Sequence, residues 1–140
     1  MSLQDTQAAI SAAVTPVVMI SANAILISAI SSKHQGMSDR LRTLTNEWRS
    51  ADTSGARRDS IRAQVRLFAL RIAWISRAHF LLYVATACFL AMVLGIALSL
   101  PLLSLPLLLG GVILMLLAIF LELLDLRKAR ATIELERGDI

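Results

Sequence analysis

Polar and apolar positions along this chain fall into separate blocks instead of interleaving. Thr6 to Ser32 carries no charged residue, and Ala78 to Leu121 carries none apart from the titratable His79. In a domain bathed in water, charged side chains recur at helical or strand spacing, so this pattern predicts a chain that crosses a lipid bilayer. A hydrocarbon core of about 30 Å takes about 20 apolar residues as helix. Thr6 to Ser32 supplies one crossing. Ala78 to Leu121 is 44 residues, or roughly 66 Å at ~1.5 Å per residue, and must turn back on itself. Ser99, Pro101, Ser104 and Pro106 mark the turn, since proline ends one helix and starts the next. Three spans follow: 8–31, 78–99 and 105–125.

The charged block between the first two spans has its own periodicity. Met37, Leu41, Leu44 and Trp48 are spaced by four, three and four, and Ile61, Val65, Phe68, Ile72 and Ile75 by four, three, four and three. Both are coiled-coil seams. Ser50-Ala-Asp-Thr-Ser-Gly55 between them has turn composition, with Gly55 as a helix stop. The expectation is an antiparallel helical hairpin over 38–76, its arms 38–50 and 56–76, the second running unbroken into the second span. Paired indices summing to about 109 set Trp48 near Ile61 and Leu44 near Val65. That register predicts stalk ion pairs Asp39–Arg71 and Glu47–Arg62.

Charge adds an orientation. All 14 lysines and arginines lie in Lys33–Arg77 and Arg127–Arg137, and the net charge is +4. Ser32 to Arg77 holds ten basic and four acidic residues, the N-terminus has no lysine or arginine, and the Ser99–Ser104 turn is uncharged. The positive-inside rule therefore predicts N-out and C-in, with the hairpin cytoplasmic. The pI of about 10.2 points to anionic lipid headgroups and not to nucleic acid, because no aromatic-and-basic stacking pattern accompanies it. The first span has no basic region before it, which differs from a secretory leader, and is expected to be retained.

The first span is the most polar of the three. Ser11, Thr15, Pro16, Ala22, Asn23 and Ala29 make a candidate pore lining or helix–helix interface, since small and hydroxyl residues allow close approach. Asn23 suits either a pore or an interhelical hydrogen bond. Glu122 and Asp125, one turn apart at the end of the third span, are a candidate cytoplasmic mouth; as boundary residues they would pair with Arg127 or Lys128. Gly110-Gly111 suits close packing or a soft point in the helix.

Ala13-Val-Thr-Pro-Val-Val-Met-Ile-Ser-Ala22, then Asp39-Arg-Leu-Arg-Thr-Leu44, then Gln64 and Arg71 ahead of two apolar spans, resemble the small bacterial membrane proteins grouped as domain of unknown function 2721. The Thr15-Pro16 step and Asp39-Arg40-x-Arg42 are the most specific parts. Lys33-His34-Gln35-Gly36 departs from that family's basic helical stretch, and Gly36 weakens helix continuity there. The resemblance implies a bacterial inner-membrane location and an architecture, and no chemistry.

Catalytic signatures are missing. The lone Cys88 has no disulfide partner, His34 and His79 lack a second ligand at metal spacing, and no nucleophile motif links the Ser, His and Asp residues. No catalytic residue, metal ligand or cofactor site is assigned. No span carries a charge at its middle, unlike ion-coupled transporters. The expected fold is all-α, in a homo-oligomer. The expected function is a small channel lined by the first span. The alternative is a non-catalytic scaffold or accessory subunit whose hairpin docks a protein partner.

Overall fold

A computed structural model describes residues 3–50 and 54–138, with side chains except those of Ala9, Pro101 and 130–138. It is all-α. Helix α1 spans Leu3–Arg49, α2 Gly55–Ala97 and α3 Pro101–Gly138. Each contains a stretch long and apolar enough to cross a bilayer. Residues 51–53 of the predicted first turn lie outside the described residues.

Three boundaries differ from the sequence expectation. First, α1 does not break at Gly36: it is one helix of 47 residues, about 70 Å long. A Cβ at Gly36 would meet nothing within 4 Å, so this glycine weakens the helix only through its own entropy, which a long packed helix tolerates. Second, Gly55 opens α2 instead of stopping α1. Ser54 is the N-cap, its hydroxyl accepting from Arg57 N at 3.3 Å. Third, α3 starts at Pro101, not at 105, and runs on beyond 125. The α2–α3 connection is a Schellman turn: Leu100 N bonds Gly95 O at 2.8 Å and Ser99 N bonds Ile96 O at 3.1 Å. Ser99 takes the left-handed conformation, with φ of 57°.

The buried positions share a period of seven. In α1 they are Pro16, Asn23, Ile30, Met37 and Leu44; in α2, Ile75, Ala78, Leu82, Ala85, Phe89 and Met92 alternate steps of three and four; in α3 they are Gly111, Ala118 and Asp125. The coiled-coil seam expected only in the charged block therefore continues through the apolar segments. Helix α2 is central. α1 and α3 both pack along it and scarcely meet each other.

The far ends of α1 and α2 lie side by side. Thr45, Trp48, Ile61, Arg62 and Val65 surround one notch of about 250 Å³. Trp48, at the end of α1, is nevertheless 41% exposed.

Candidate functional site

Where the apolar segments of the three helices end, four charges meet. Asp125 of α3, 3% exposed, accepts from Arg71 of α2 through Nε at 3.0 Å and Nη2 at 3.2 Å. It also accepts from Lys33 Nζ of α1 at 2.8 Å. Lys33 donates in addition to Glu122 Oε1. Glu122 and Asp125 stand one turn apart on the same face of α3, and the heptad step from Gly111 through Ala118 to Asp125 turns that face inward. One carboxylate thus ties all three helices together, and the quartet is electrically neutral. Beside it, Lys128 of α3 and Arg77 of α2 lie 4.8 Å and 5.5 Å from the centre of the Trp74 ring.

Below the quartet, a ladder of polar contacts joins α1 to α2. Asn23 Nδ2 donates to Leu82 O at 2.7 Å and to Thr86 Oγ1 at 2.6 Å. The His79 Nε2 atom lies 3.2 Å from Ile27 O and 3.0 Å from Ser31 Oγ; with its proton on Nε2 it donates to the carbonyl. Asn23 Oδ1 and Glu122 Oε2 are buried acceptors without a hydrogen-bond partner among the described residues.

Two predicted ion pairs are replaced. Arg71 turns to Asp125 and not to Asp39, because the neighbouring third helix offers a carboxylate shielded from water. Glu47 pairs with Arg57 at 2.7 Å, not with Arg62, because Arg57 stands closer to the turn that brings the arms together. The Arg57 hydrogen bond holds the Glu47 carboxyl below its ordinary value. Glu122 and Asp125 find their cations on α1 and α2 and not in Arg127 or Lys128.

The candidate pore residues of α1 separate. Pro16 and Asn23 are buried within the chain, Ala22 is half-buried, and Ser11, Thr15 and Ala29 are exposed. The glycine pair separates too. A Cβ on Gly111 would come within 2.5 Å of Phe89 Cε1, whereas one on Gly110 would meet nothing within 4 Å. Sequence reasoning missed Lys33 altogether. Its signal was available: a lone cation where one apolar run ends, and two carboxylates where another ends.

Between α1 and α3, on the α2 floor at Leu82, lies an apolar cleft of about 200 Å³ walled by Leu26, Ala29, Ile119 and Leu123, with Glu122 at its charged end. Among the described residues, no group of three or more His, Cys, Asp or Glu side chains could hold a metal ion.

The profile of the family described as "Protein of unknown function (DUF2721)" matches residues 13–135. No curated protein matches the chain, and no solved structure matches it. The match covers nearly the whole molecule, and the chain belongs to the DUF2721 family.

Proposed function

We propose that this DUF2721 protein is a non-catalytic scaffold of the bacterial inner membrane, with its N-terminus outside and the α1–α2 stalk docking a protein partner in the cytoplasm. One observation carries this reading. Arg42, Arg49, Arg62 and Arg66 are exposed on the stalk and make no ion pair or hydrogen bond among the described residues, and Trp48 stands exposed above the notch beside Arg62. Exposed Trp and Arg around a depression are the composition of protein-binding hot spots. Helices α1 and α2 run into the stalk without a break, so a docked partner is held rigidly to the membrane.

The alternative, a homo-oligomeric channel, draws support from Ser11 and Thr15, which are exposed among apolar neighbours. Asn23 argues against it, since both bonds of its amide nitrogen go to α2 of the same chain and its side chain is buried there.

A photo-reactive residue at position 48 tests the docking reading in cells. A discrete adduct with another protein, lost on Arg62→Glu, is the expected result. Adducts only between copies of this chain, together with labelling of cysteines at Ser11 and Thr15 by charged thiol reagents, would favour the channel. Topology reporters at Asp52 and Ser99 should be active on opposite sides of the membrane; the same side for both would remove the membrane threading itself.

A further inference from the structure

We propose that the cleft between α1 and α3 is a binding site for one phospholipid with an ammonium headgroup, of the phosphatidylethanolamine class. The inference rests on the membrane reading above and is independent of the docking stalk.

The argument begins with the space. Two helices laid along a third and diverging from each other leave a groove, and here it is walled by aliphatic side chains and Ala29. In a bilayer such a groove fills with an acyl chain, because lipid is the solvent there. A groove alone would accept any lipid. The selection comes from the charged end.

Of the four charges there, both cations are already ion-paired, though each keeps N–H donors beyond those it uses. Arg71 lies bidentate on Asp125, and Lys33 bridges Asp125 and Glu122. Their charge is balanced by the two carboxylates, which weakens their pull on the phosphate of an anionic lipid. The member of the quartet that lines the cleft, and that has spare acceptor capacity, is Glu122. Its Oε1 takes Lys33, while its Oε2 is buried and has no donor among the described residues. An ionised carboxylate accepts through both oxygens, and one left short of donors where water is scarce is costly. A primary ammonium supplies both the donors and the compensating charge. A choline headgroup supplies the charge without an N–H. The Glu122 side chain keeps 20% of its surface exposed and lines the cleft. Glu122 also lies at the end of the apolar segments, where a headgroup amine and the start of an acyl chain meet a single helix turn.

The test uses the full chain in detergent, read by native mass spectrometry and thermal unfolding. The added lipids are phosphatidylethanolamine, its N-methyl and N,N-dimethyl forms, phosphatidylcholine and phosphatidylglycerol. One retained lipid and a rise in melting temperature are expected with phosphatidylethanolamine, falling with each methyl group and lost with phosphatidylcholine and phosphatidylglycerol. Ala29→Leu fills the groove and leaves the Glu122–Lys33 pair in place, so it should abolish the response. Glu122→Gln keeps the shape and should abolish the discrimination against phosphatidylcholine. If Glu122→Gln fails to fold, Ala29→Leu alone decides. Equal stabilisation by all five lipids would overturn the proposal and leave ordinary solvating lipid. Preference for phosphatidylglycerol would overturn it by showing that Lys33 or Arg71 reads a phosphate. Selectivity that survives Ala29→Leu would overturn it by placing the lipid elsewhere. Each of these results leaves the photo-adduct at position 48 unaffected.

Discussion

Helix α2 has two seams, and they are held by different means. Toward α1 the apolar packing of Ile30 and Met37 is joined by polar contacts: Asn23 on Leu82 O and Thr86, His79 near Ser31 and Ile27 O, Arg57 on Glu47. Toward α3 the contacts are matters of shape, with Phe89 lying against the bare backbone of Gly111 and Ala118 buried in the cluster around Leu82 and Ala78. Among the described residues, α3 gains an electrostatic hold at the charged end alone. Inside a bilayer, lipid tails are as apolar as leucine, so burying leucine gives helices little reason to associate. The two seams show the two remaining devices, hydrogen bonds on one side and close packing around small residues on the other. They should therefore fail in different ways.

The largest effect is expected at Asp125. Asp125→Ala leaves Arg71 and Lys33 facing each other without their shared carboxylate, and breaking a buried pair in this way costs about 3–5 kcal/mol. Thermal unfolding in micelles should show the loss. Replacing Lys33 and Arg71 with Met and Glu122 and Asp125 with Leu together should recover most of it, since apolar replacements remove the desolvation cost along with the attraction. If the four-fold variant is as unstable as Asp125→Ala, the quartet does more than neutralise itself.

Next comes the shape-held seam. Gly111→Ala should destabilise by about 1–3 kcal/mol through overpacking, and Phe89→Leu in the same chain should relieve the strain. Gly110→Ala is the control. With open space around it, it should be neutral or stabilising, by up to ~1 kcal/mol from helix propensity. Equal effects at the two glycines would mean that α3 is rotated from the face assigned to it.

Much of this architecture is written in the sequence. The gap in charge at 78–121 and the prolines within it give two helices and a turn, and hydrophobic spacing marks Met37, Leu44, Ile61 and Ile75, all of which are buried. What escaped notice is instructive in physical terms. The heptad of α1 runs through Pro16, Asn23 and Ile30, and that of α3 through Gly111, Ala118 and Asp125. Neither reads as a seam when hydrophobicity is the only signal, because the surrounding residues are equally apolar. Inward-facing positions in such a segment are marked by being small or polar instead. Ion-pair partners escaped for another reason: Arg71 has an i-to-j candidate within the hairpin, and only the third helix reveals a better one. The turn at Gly55 went the other way because glycine is compatible with both a helix end and a helix start.

A smaller effect separates the polar seam from an interface between copies. Asn23→Leu should loosen α1 from α2 by roughly 0.6–1.7 kcal/mol, the range for hydrogen bonds between membrane helices. Oligomer size in mild detergent should not change. If self-association falls while the unfolding temperature holds, Asn23 bonds to another copy, and the channel reading regains ground.

The smallest effect belongs to the turn that joins the two halves of the shape-held seam. Ser99 sits at φ of 57° and closes the Schellman turn through its backbone N–H, which glycine retains. The left-handed conformation costs a residue with a Cβ roughly 1–2 kcal/mol, and glycine pays none of it. Glycine has more freedom to lose on folding, so the net gain from Ser99→Gly should be below ~1 kcal/mol. The serine hydroxyl makes no hydrogen bond among the described residues, so nothing offsets that gain. A small rise in melting temperature, without change in the response to Gly111→Ala, is the expected result. A fall would mean that the serine holds the turn through its side chain, and that the α2–α3 seam, too, depends on a polar contact.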